Sequence, residues 1–344
     1  MGVIKPAARN NTIDILRLVA SLFIIFLHIR YGVKNQWMIV IIRLMARWAV
    51  PFFFMVSGYF YQKSLESAPD AALRVNLTKI LSIIIIANIV YIPMAYLNHH
   101  LFLLQNLFTG DYFHLWFLHA LLIGFIAVYG LYKLKAGGFL SLAIALLIYA
   151  AVLLSHSYTF VIGYAPADKN AFVPFLSIPF MIAGTVFYKK NGIKNKVTLL
   201  VGIIAATVGF IIQLAEVKQI STYAGGDMQF PQFLFGTPVF ATGMFIIALK
   251  WNLKSELLGK WGRNYSLFIY LYHPFLLGIL HALHLGGDLT GVMLIVFPLI
   301  IFVCILAIAI FLDKYVHRLF LLFNGSIADA FKRGTEYNRM KNDD

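Results

Sequence analysis

The chain has 344 residues, of which 61% are hydrophobic and only 12% are charged. A soluble domain carries about a quarter charged and roughly 45–50% apolar residues, so the composition excludes a water-soluble globular protein, a disordered chain and a nucleic-acid-binding domain. The net charge of +14 is typical of a membrane protein whose cytoplasmic loops retain Lys and Arg. The single cysteine, Cys304, excludes an internal disulfide framework and a cysteine-based metal site.

Ten apolar stretches follow one another along the chain, each near the roughly 20 residues that a helix needs to cross about 30 Å of hydrocarbon. Polar links separate them, and no link is long enough for a soluble domain. The sequence therefore predicts an all-α polytopic membrane protein, a single integral-membrane domain over residues 1–344 with about ten transmembrane helices. The predicted spans are residues 12–29, 37–61, 79–97, 113–132, 138–155, 172–188, 197–214, 232–250, 264–284 and 290–313, followed by a basic cytoplasmic tail at 314–344.

Lys and Arg are distributed unevenly between alternate links. With the N-terminus inside, twenty-one of the 28 lie in inside segments and four lie in outside loops. Because positive residues are retained on the cytoplasmic side, we expect both the N- and C-termini to be cytoplasmic. The expected location is a bacterial cytoplasmic (inner) membrane, which the chain crosses many times.

Ionisable residues within the predicted spans are costly in lipid and mark a cavity or a partner. In the first span, Arg17 and His28 lie on one helix face, within roughly 20° of each other and about 16 Å apart along the axis. They are predicted to line one path, with Arg17 near the cytoplasmic entrance and His28 in the outer half. The alternative is structural, with Arg17 snorkelling to the interface beside Asp14 and His28 buried and hydrogen-bonded.

The second span adds Arg43 and Arg47, one helical turn apart and well below the outer interface. Two arginines at that depth favour a polar cavity for an anionic or highly hydroxylated ligand over structural pairing. Further candidates for lining this cavity or binding an acceptor are Ser57, Tyr59, His114, Trp116, His119, Tyr270 and His273. For Trp116, an outer aromatic belt is the alternative.

Several catalytic signatures are missing from the sequence. It contains no His-Glu-x-x-His, no Walker A and no Gly-x-Ser-x-Gly sequence, so zinc-hydrolase, P-loop and serine-hydrolase chemistry lack support. We therefore predict no metal site.

Four motifs occur in an order that resembles the acyltransferase family 3 membrane proteins. They are Asp14-x-x-Arg17 with His28 eleven residues after Arg17, then Arg47-x3-Pro51-Phe52-Phe53-Phe54-x-x-Ser57-Gly58-Tyr59, His114-Leu115-Trp116-Phe117-Leu118, and Tyr270-x-x-His273. The resemblance covers most of the chain, and the length resembles that of standalone members without an extracytoplasmic esterase-like domain. In one departure, the Arg-x-x-Arg pair of many relatives is replaced by Arg74 and Lys79, and Lys lacks the bidentate fork of Arg.

The resemblance implies a membrane O-acyltransferase, most simply an acetyl-CoA-dependent O-acetyltransferase. The acyl group of an acyl-CoA would pass to a hydroxyl of an envelope glycan, glycolipid or similar acceptor on the extracytoplasmic side, without a metal. His28 would be the base that takes the hydroxyl proton, and Arg17 the donor-side catalytic cation. Asp14, Arg74 and Lys79 would complete the donor site. The expected partners are the acyl-CoA, the carbohydrate or glycolipid acceptor and the lipid bilayer, with no nucleic acid.

Two other classes of function fit parts of the sequence. A secondary transporter or exporter of a lipid-linked glycan or small polar substrate would use the same buried Arg and His residues for binding or proton relay. The lack of a visible inverted repeat counts against the common transporter folds, and the buried charges disfavour a sensory or scaffold protein. The sequence leaves four points open: the identity of the acceptor, the choice between acetyl and succinyl, whether a covalent acyl-enzyme forms, and the oligomeric state.

Overall fold

The computed structural model describes residues 11–29, 36–97, 114–159, 172–189, 196–223, 231–283, 289 and 291–331, and its regular structure is helical. The prediction of an all-α fold is confirmed over these residues. In chain order the helices are α1 (Asn11–His28), α2 (Gln36–Ala46), α3 (Ala49–Ser67), α4 (Pro69–Leu97), α5 (Trp116–Lys133), α6 (Gly138–His156), α7 (Ser177–Tyr188, preceded by a 3-10 turn at Val173–Leu176), α8 (Leu199–Tyr223), α9 (Gly236–Lys250), α10 (Glu256–Ala282), α11 (Met293–Tyr315), α12 (His317–Phe323) and α13 (Ile327–Ala330).

The helices are those of a multi-pass membrane protein. Within the described chain, eight helical stretches are long and apolar enough to cross a membrane by length and composition, with α2 and α3 together forming one stretch. Two further apolar helices, Val173–Tyr188 and α9, are shorter. The total of about ten spans and the cytoplasmic side of both termini stay predictions.

The second predicted span, 37–61, is two helices rather than one. Helix α2 ends at Ala46 and α3 begins at Ala49, with a turn at residues 47–48 between them. Pro51 explains the break, because a proline ring clashes with the carbonyl four residues earlier, here that of Arg47. Placed in the first turn of α3, Pro51 gives up an N–H that would have no helical partner there.

Several helices extend beyond the apolar stretches that predicted them. Helix α4 begins at Pro69, before the predicted start at residue 79, and α8 continues to Tyr223, past the predicted end at residue 214. Hydropathy detects only the part of a helix that suits lipid, whereas backbone hydrogen bonding continues into the polar residues at each end. Much of the long predicted link after residue 214 is therefore helix.

The predicted tail, 314–344, is folded in its first part. Helix α12 buries Phe320, and the Tyr272 hydroxyl donates a 2.9 Å hydrogen bond to the Phe323 carbonyl. Residues 314–331 are therefore part of the bundle rather than a solvated tail, and residues 332–344 lie outside the described part. Helix α12 has only 7 residues, so its apolar stretch is too short to be recognised as a helix that packs on the bundle.

Helices α1 and α10 pack along much of their length and run parallel. At one end a Cβ on Gly262 would come within 1.8 Å of the Asp14 carbonyl oxygen, so only glycine permits this approach of the two backbones. At the other end His28 of α1 meets His273 of α10. The seam between these two helices therefore connects a group of charged residues around Asp14 with a group of histidines around His28.

The faces of the bundle away from this seam are apolar and exposed. Leu147 on α6 is 71% exposed and Val303 on α11 is 61% exposed. Large exposed apolar faces on helices of this length are suited to lipid contact rather than to water.

Candidate functional site

Three histidines that are far apart in sequence form one cluster. His28 is the last residue of α1, His114 lies in the turn before α5, and His273 lies inside α10. Nδ1 of His28 and Nε2 of His273 are 2.8 Å apart, and the rings of these two residues stack with centroids 5.0 Å apart. The His114 ring lies 6.5 Å from that of His28 and 6.1 Å from that of His273. His114 and His273 are buried, and His28 is half-buried.

The backbone of α10 holds this cluster in place. Nδ1 of His273 lies 2.9 Å from the Ile269 carbonyl oxygen, and Nε2 of His114 lies 3.0 Å from the Leu271 carbonyl oxygen. The Tyr91 hydroxyl donates to the same Leu271 oxygen at 2.7 Å. The Tyr270 hydroxyl donates to the His114 carbonyl at 2.6 Å. Carbonyl groups of α10 therefore fix the two buried rings, and Tyr91 of α4 and Tyr270 of α10 add hydrogen bonds around them.

Pro274 follows His273 directly inside α10. Because proline has no N–H, it cannot donate to the carbonyl of Tyr270 in the preceding turn. A membrane helix tolerates such a proline where neighbouring groups satisfy the interrupted backbone. The hydrogen bonds from Tyr91 and His114 arrive in this turn, next to the interruption.

The described residues contain no group of three or more His, Cys, Asp or Glu arranged to hold a metal ion. In the histidine cluster, one nitrogen of each buried ring faces a backbone carbonyl. That arrangement directs the rings to hydrogen bonds rather than to a common centre.

At the opposite end of the α1–α10 seam, one carboxylate joins two arginines. Asp14 Oδ1 lies 3.5 Å from Arg17 Nη1, and Asp14 Oδ2 lies 3.3 Å from Arg263 Nη1. The Asp14 side chain is 2% exposed, whereas Arg17 and Arg263 are 22% and 29% exposed. The group carries one net positive charge, and both arginine side chains are partly exposed. Sequence reasoning missed Arg263, because it lies one residue before the predicted ninth span.

The two basic candidates on α4 have different surroundings. Lys79 interacts electrostatically with Arg17 and with Asp329, which places it near the end of the α1–α10 seam where Arg17 lies. Arg74 instead interacts with Asp70, whose carboxylate lies 2.8 Å from Lys133. Five residues separate Arg74 from Lys79, so they point in directions roughly 140° apart on the helix. Lys79 therefore lies near Arg17, and Arg74 belongs to the surface group around Asp70.

Arg43 and Arg47 also have different roles. Arg43 interacts electrostatically with His28 and with Arg47, so it faces the histidine cluster. The two terminal nitrogens of Arg47 donate to the backbone carbonyls of Pro231 and Gln232. Arg47 therefore anchors the chain before α9, and of the two arginines only Arg43 has a described interaction with His28.

Residues 231–236, which we call the strap, lead into α9. Their backbone is hydrogen-bonded to side chains from other parts of the chain. Besides the two carbonyls held by Arg47, the Leu234 carbonyl accepts from the Tyr149 hydroxyl at 2.7 Å, and the Phe233 N–H donates to Ser157 Oγ at 3.1 Å. Glu216 accepts from the N–H groups of Phe235 at 2.6 Å and Gly236 at 2.8 Å. Backbone that leaves a helix within a membrane bundle needs such partners, because lipid supplies none.

Glu216 also accepts the hydroxyl hydrogen bond of Tyr158. Burial and this hydrogen bond raise the pKa of the Tyr158 phenol above its ordinary value, so the hydroxyl stays protonated and donates. Sequence reasoning placed Glu216 in a link and did not select it. A carboxylate just past an apolar stretch was the one signal for it.

The remaining predicted residues have their own packing contacts. Tyr59 is buried and meets Tyr188 edge-on at 5.1 Å between ring centroids, and Trp116 lies 6.4 Å from Phe54. Nδ1 of His119 lies 3.2 Å from the carbonyl oxygen of Leu115, the residue just before α5, and Ser57 is half-buried on α3. The structure therefore brings His28, His114, Tyr270 and His273 together and gives Tyr59, Trp116 and His119 other described contacts.

Comparison with known proteins identifies the family of the chain. A family model described as an acyltransferase domain matches residues 10–314, which include both ends of the α1–α10 seam. The chain belongs to the acyltransferase family 3, as its motifs predicted. No solved structure matches the chain.

The curated relatives carry other names. An amino-acid racemase of Enterococcus faecalis is 26% identical over 304 residues, which are 80% of this chain and 42% of that protein. A serine/alanine racemase of Enterococcus gallinarum is 23% identical over 332 residues, which are 86% of this chain and 46% of that protein. The chain spans less than half the length of these relatives. Their names therefore describe proteins of which more than half lies outside the match.

Proposed function

We propose that this chain transfers an acyl group, most simply acetyl from acetyl-CoA, to a hydroxyl of an envelope glycan, glycolipid or similar acceptor. One observation supports it above the others: a single helix, α1, carries Arg17 in a cationic group at one end and His28 in a histidine cluster at the other. A thioester donor with an anionic head and a neutral acyl end needs these two environments at a fixed separation.

The donor end is the cationic group. Arg17 and Arg263 share the buried Asp14 carboxylate and keep part of their surface in solvent, and Lys79 adds positive charge beside them. Coenzyme A carries phosphates, and guanidinium groups bind phosphate in bidentate fashion. About 16 Å of helix axis separates Arg17 from His28, a distance for the extended arm of the donor to cover.

The reaction end is the histidine cluster. A base must take the proton of the acceptor hydroxyl as its oxygen attacks the thioester carbonyl, and His is suited to this near neutral pH. Arg43 lies within electrostatic range of His28, where a cation would stabilise the oxyanion that forms on the carbonyl oxygen. We assign His28 as the base and Arg43 as the neighbouring cation.

The distribution of charge supports the direction of transfer. Twenty-one of 28 Lys and Arg residues lie on one side in the predicted topology, which is the cytoplasmic side by the positive-inside rule. Arg17 lies toward that side and His28 toward the other. The acyl-CoA would therefore bind from the cytoplasm of a bacterium, and the acceptor would be modified at the outer half of the inner membrane.

Purified protein in detergent tests this proposal directly. Acetyl-CoA and an envelope glycan extract are supplied, and we measure free thiol together with a mass increase of one acyl group on the glycan. We expect both in the parent, a loss of acetyl-CoA affinity in Arg17→Ala and a partial recovery in Arg17→Lys. Lys135→Ala, on an exposed turn, is the control for general loss of positive charge.

The transport alternative makes a different forecast for the same preparation. A transporter would bind or move a small polar substrate without consuming acetyl-CoA. Substrate flux in vesicles with no thiol release and no modified glycan would overturn the acyltransferase proposal.

A further inference from the structure

His28 and His273 form a chain of hydrogen bonds that ends at the Ile269 carbonyl oxygen, an atom that can only accept. The Ile269 carbonyl oxygen has no proton to give, so Nδ1 of His273 donates to it across 2.9 Å. In a neutral ring only one nitrogen carries a proton, so Nε2 of His273 carries the lone pair. That atom lies 2.8 Å from Nδ1 of His28, which must therefore be the donor. The remaining lone pair of the His28 ring is on Nε2.

We propose that His273 is a positioning residue that holds His28 in the tautomer with its lone pair on Nε2 and stabilises the imidazolium form of His28. The inference rests on the proposed acyl transfer and assigns a task to a residue that the sequence suggested only as part of a cavity lining. Which ring nitrogen of a histidine is protonated is set by the hydrogen bond of the other nitrogen. A side chain free in water favours the Nε2–H form, so His273 reverses the usual preference.

The reaction step is balanced with these atoms. The acceptor oxygen forms a bond to the thioester carbonyl carbon while its proton moves to Nε2 of His28. When the tetrahedral intermediate collapses, the carbon–sulfur bond breaks and the proton passes from Nε2 to the thiolate, giving the ester and free coenzyme A. Between these events His28 is an imidazolium, and its Nδ1–H donates a charge-assisted hydrogen bond to His273. Such bonds are roughly twice as strong as neutral ones.

The surroundings of His273 suit a fixed partner rather than a second base. The side chain is fully buried, and both ring nitrogens have a described hydrogen bond. His114 has a different arrangement, because its Nε2 is directed at the Leu271 carbonyl and its ring is 6.5 Å from that of His28. Arg43 and His114 also lie within electrostatic range of His28, and Tyr270 lies beside His273.

Substitutions at His273 separate the positioning role from packing. In His273→Leu the acceptor for His28 is lost, whereas in His273→Gln an amide oxygen reaches close to the place of the ring Nε2. We expect His273→Leu to lower kcat roughly 10- to 100-fold, the factor that a lost hydrogen bond to a charged group is worth, with the KM for acetyl-CoA unchanged. His273→Gln should retain most of the parental kcat. His281→Leu, an exposed histidine on the same helix, is the control.

Nitrogen NMR of protein with isotope-labelled histidines identifies the tautomer of His28 and does not depend on turnover. The His28 signals are assigned by their loss in His28→Gln, and we expect Nδ1 protonated and Nε2 bare in the parent. In His273→Leu the Nε2–H form should appear. An active parent in which His28 is protonated on Nε2, or a His273→Leu protein with parental kcat, would overturn the inference. Should His273→Leu not fold, the tautomer in the parent decides.

The two proposals fail in different ways. If the parent shows no acyl transfer but His28 has the Nδ1–H tautomer and loses it in His273→Leu, the proposed reaction is wrong and the hydrogen-bond assignment stands. If the parent transfers acyl groups and the tautomer is unchanged by His273→Leu, the reaction stands and the positioning role is wrong.

Discussion

Removing the charge of Asp14 should destabilise the protein far more than removing the charge of a surface aspartate. Asp14 is 2% exposed and bridges Arg17 at 3.5 Å and Arg263 at 3.3 Å. Asp14→Asn leaves two guanidinium groups facing a neutral amide. Removing one partner of a buried ion pair costs about 3–5 kcal/mol. Because the arginines are 22% and 29% exposed, solvent screening lowers the expected loss to about 2–3 kcal/mol.

Asp70→Asn is the matched control for this prediction. Asp70 forms its ion pair with Lys133 at 2.8 Å, but the two side chains are 67% and 46% exposed, so its loss should cost about 0–1 kcal/mol. The free energies of unfolding of the two variants and the parent are compared by denaturant titration in one detergent. A double variant, Asp14→Asn with Arg263→Gln, should recover part of the loss. Equal stability of Asp14→Asn and Asp70→Asn would refute the reasoning.

The remaining predictions concern packing, the strap and the topology. Gly262→Ala should destabilise the α1–α10 seam by about 1–3 kcal/mol through overpacking, while Gly130→Ala, which has open space around the added methyl group, should be neutral or stabilising in the same thermal scan. Glu216→Gln should lower the free energy of unfolding by about 1–3 kcal/mol and speed hydrogen exchange in the strap, and unchanged exchange there would contradict it. In a Cys304→Ser background, a single cysteine at Asn98 should label from outside intact cells and one at Lys135 should not, and the reverse result would exchange the donor and acceptor sides.

The helical fold was predictable because lipid imposes a strong pattern. A spanning segment must be apolar over most of its length, so the long described helices coincide with predicted apolar stretches. Their polar ends were not predictable in the same way, and α4 therefore begins ten residues before the predicted span. The break between α2 and α3 was encoded by Pro51, whose effect on the carbonyl four residues earlier is a local rule.

The two ends of α1 were predictable from helical periodicity. Arg17 and His28 lie on one face because eleven residues are close to three full turns. Their partners were not predictable, since His273 lies 245 positions from His28 and only the parallel packing of α1 on α10 brings the two rings together. Arg263 was missed for the same reason, because its value depends on Asp14 across the seam.

Arg47 was correctly singled out as a buried arginine, but its described hydrogen bonds are to backbone and not to a ligand. A buried guanidinium suits an anionic or hydroxylated ligand, and the sequence favoured such a ligand over structural pairing. The structure supplies backbone carbonyls of the strap instead. Irregular backbone inside a membrane bundle leaves polar groups that need partners, and no pattern in the sequence marks where such backbone lies.

Acyl transfer by His28→Gln, measured beside the parent, tests the central claim most directly. A positioned base contributes roughly 100- to 10,000-fold to turnover, and Gln keeps a polar contact but cannot accept the proton. We expect transfer from acetyl-CoA to fall at least about 100-fold while acetyl-CoA affinity and melting temperature stay at parental values. A stable His28→Gln protein that transfers acyl groups at near-parental rate would contradict the assignment of His28 as the base.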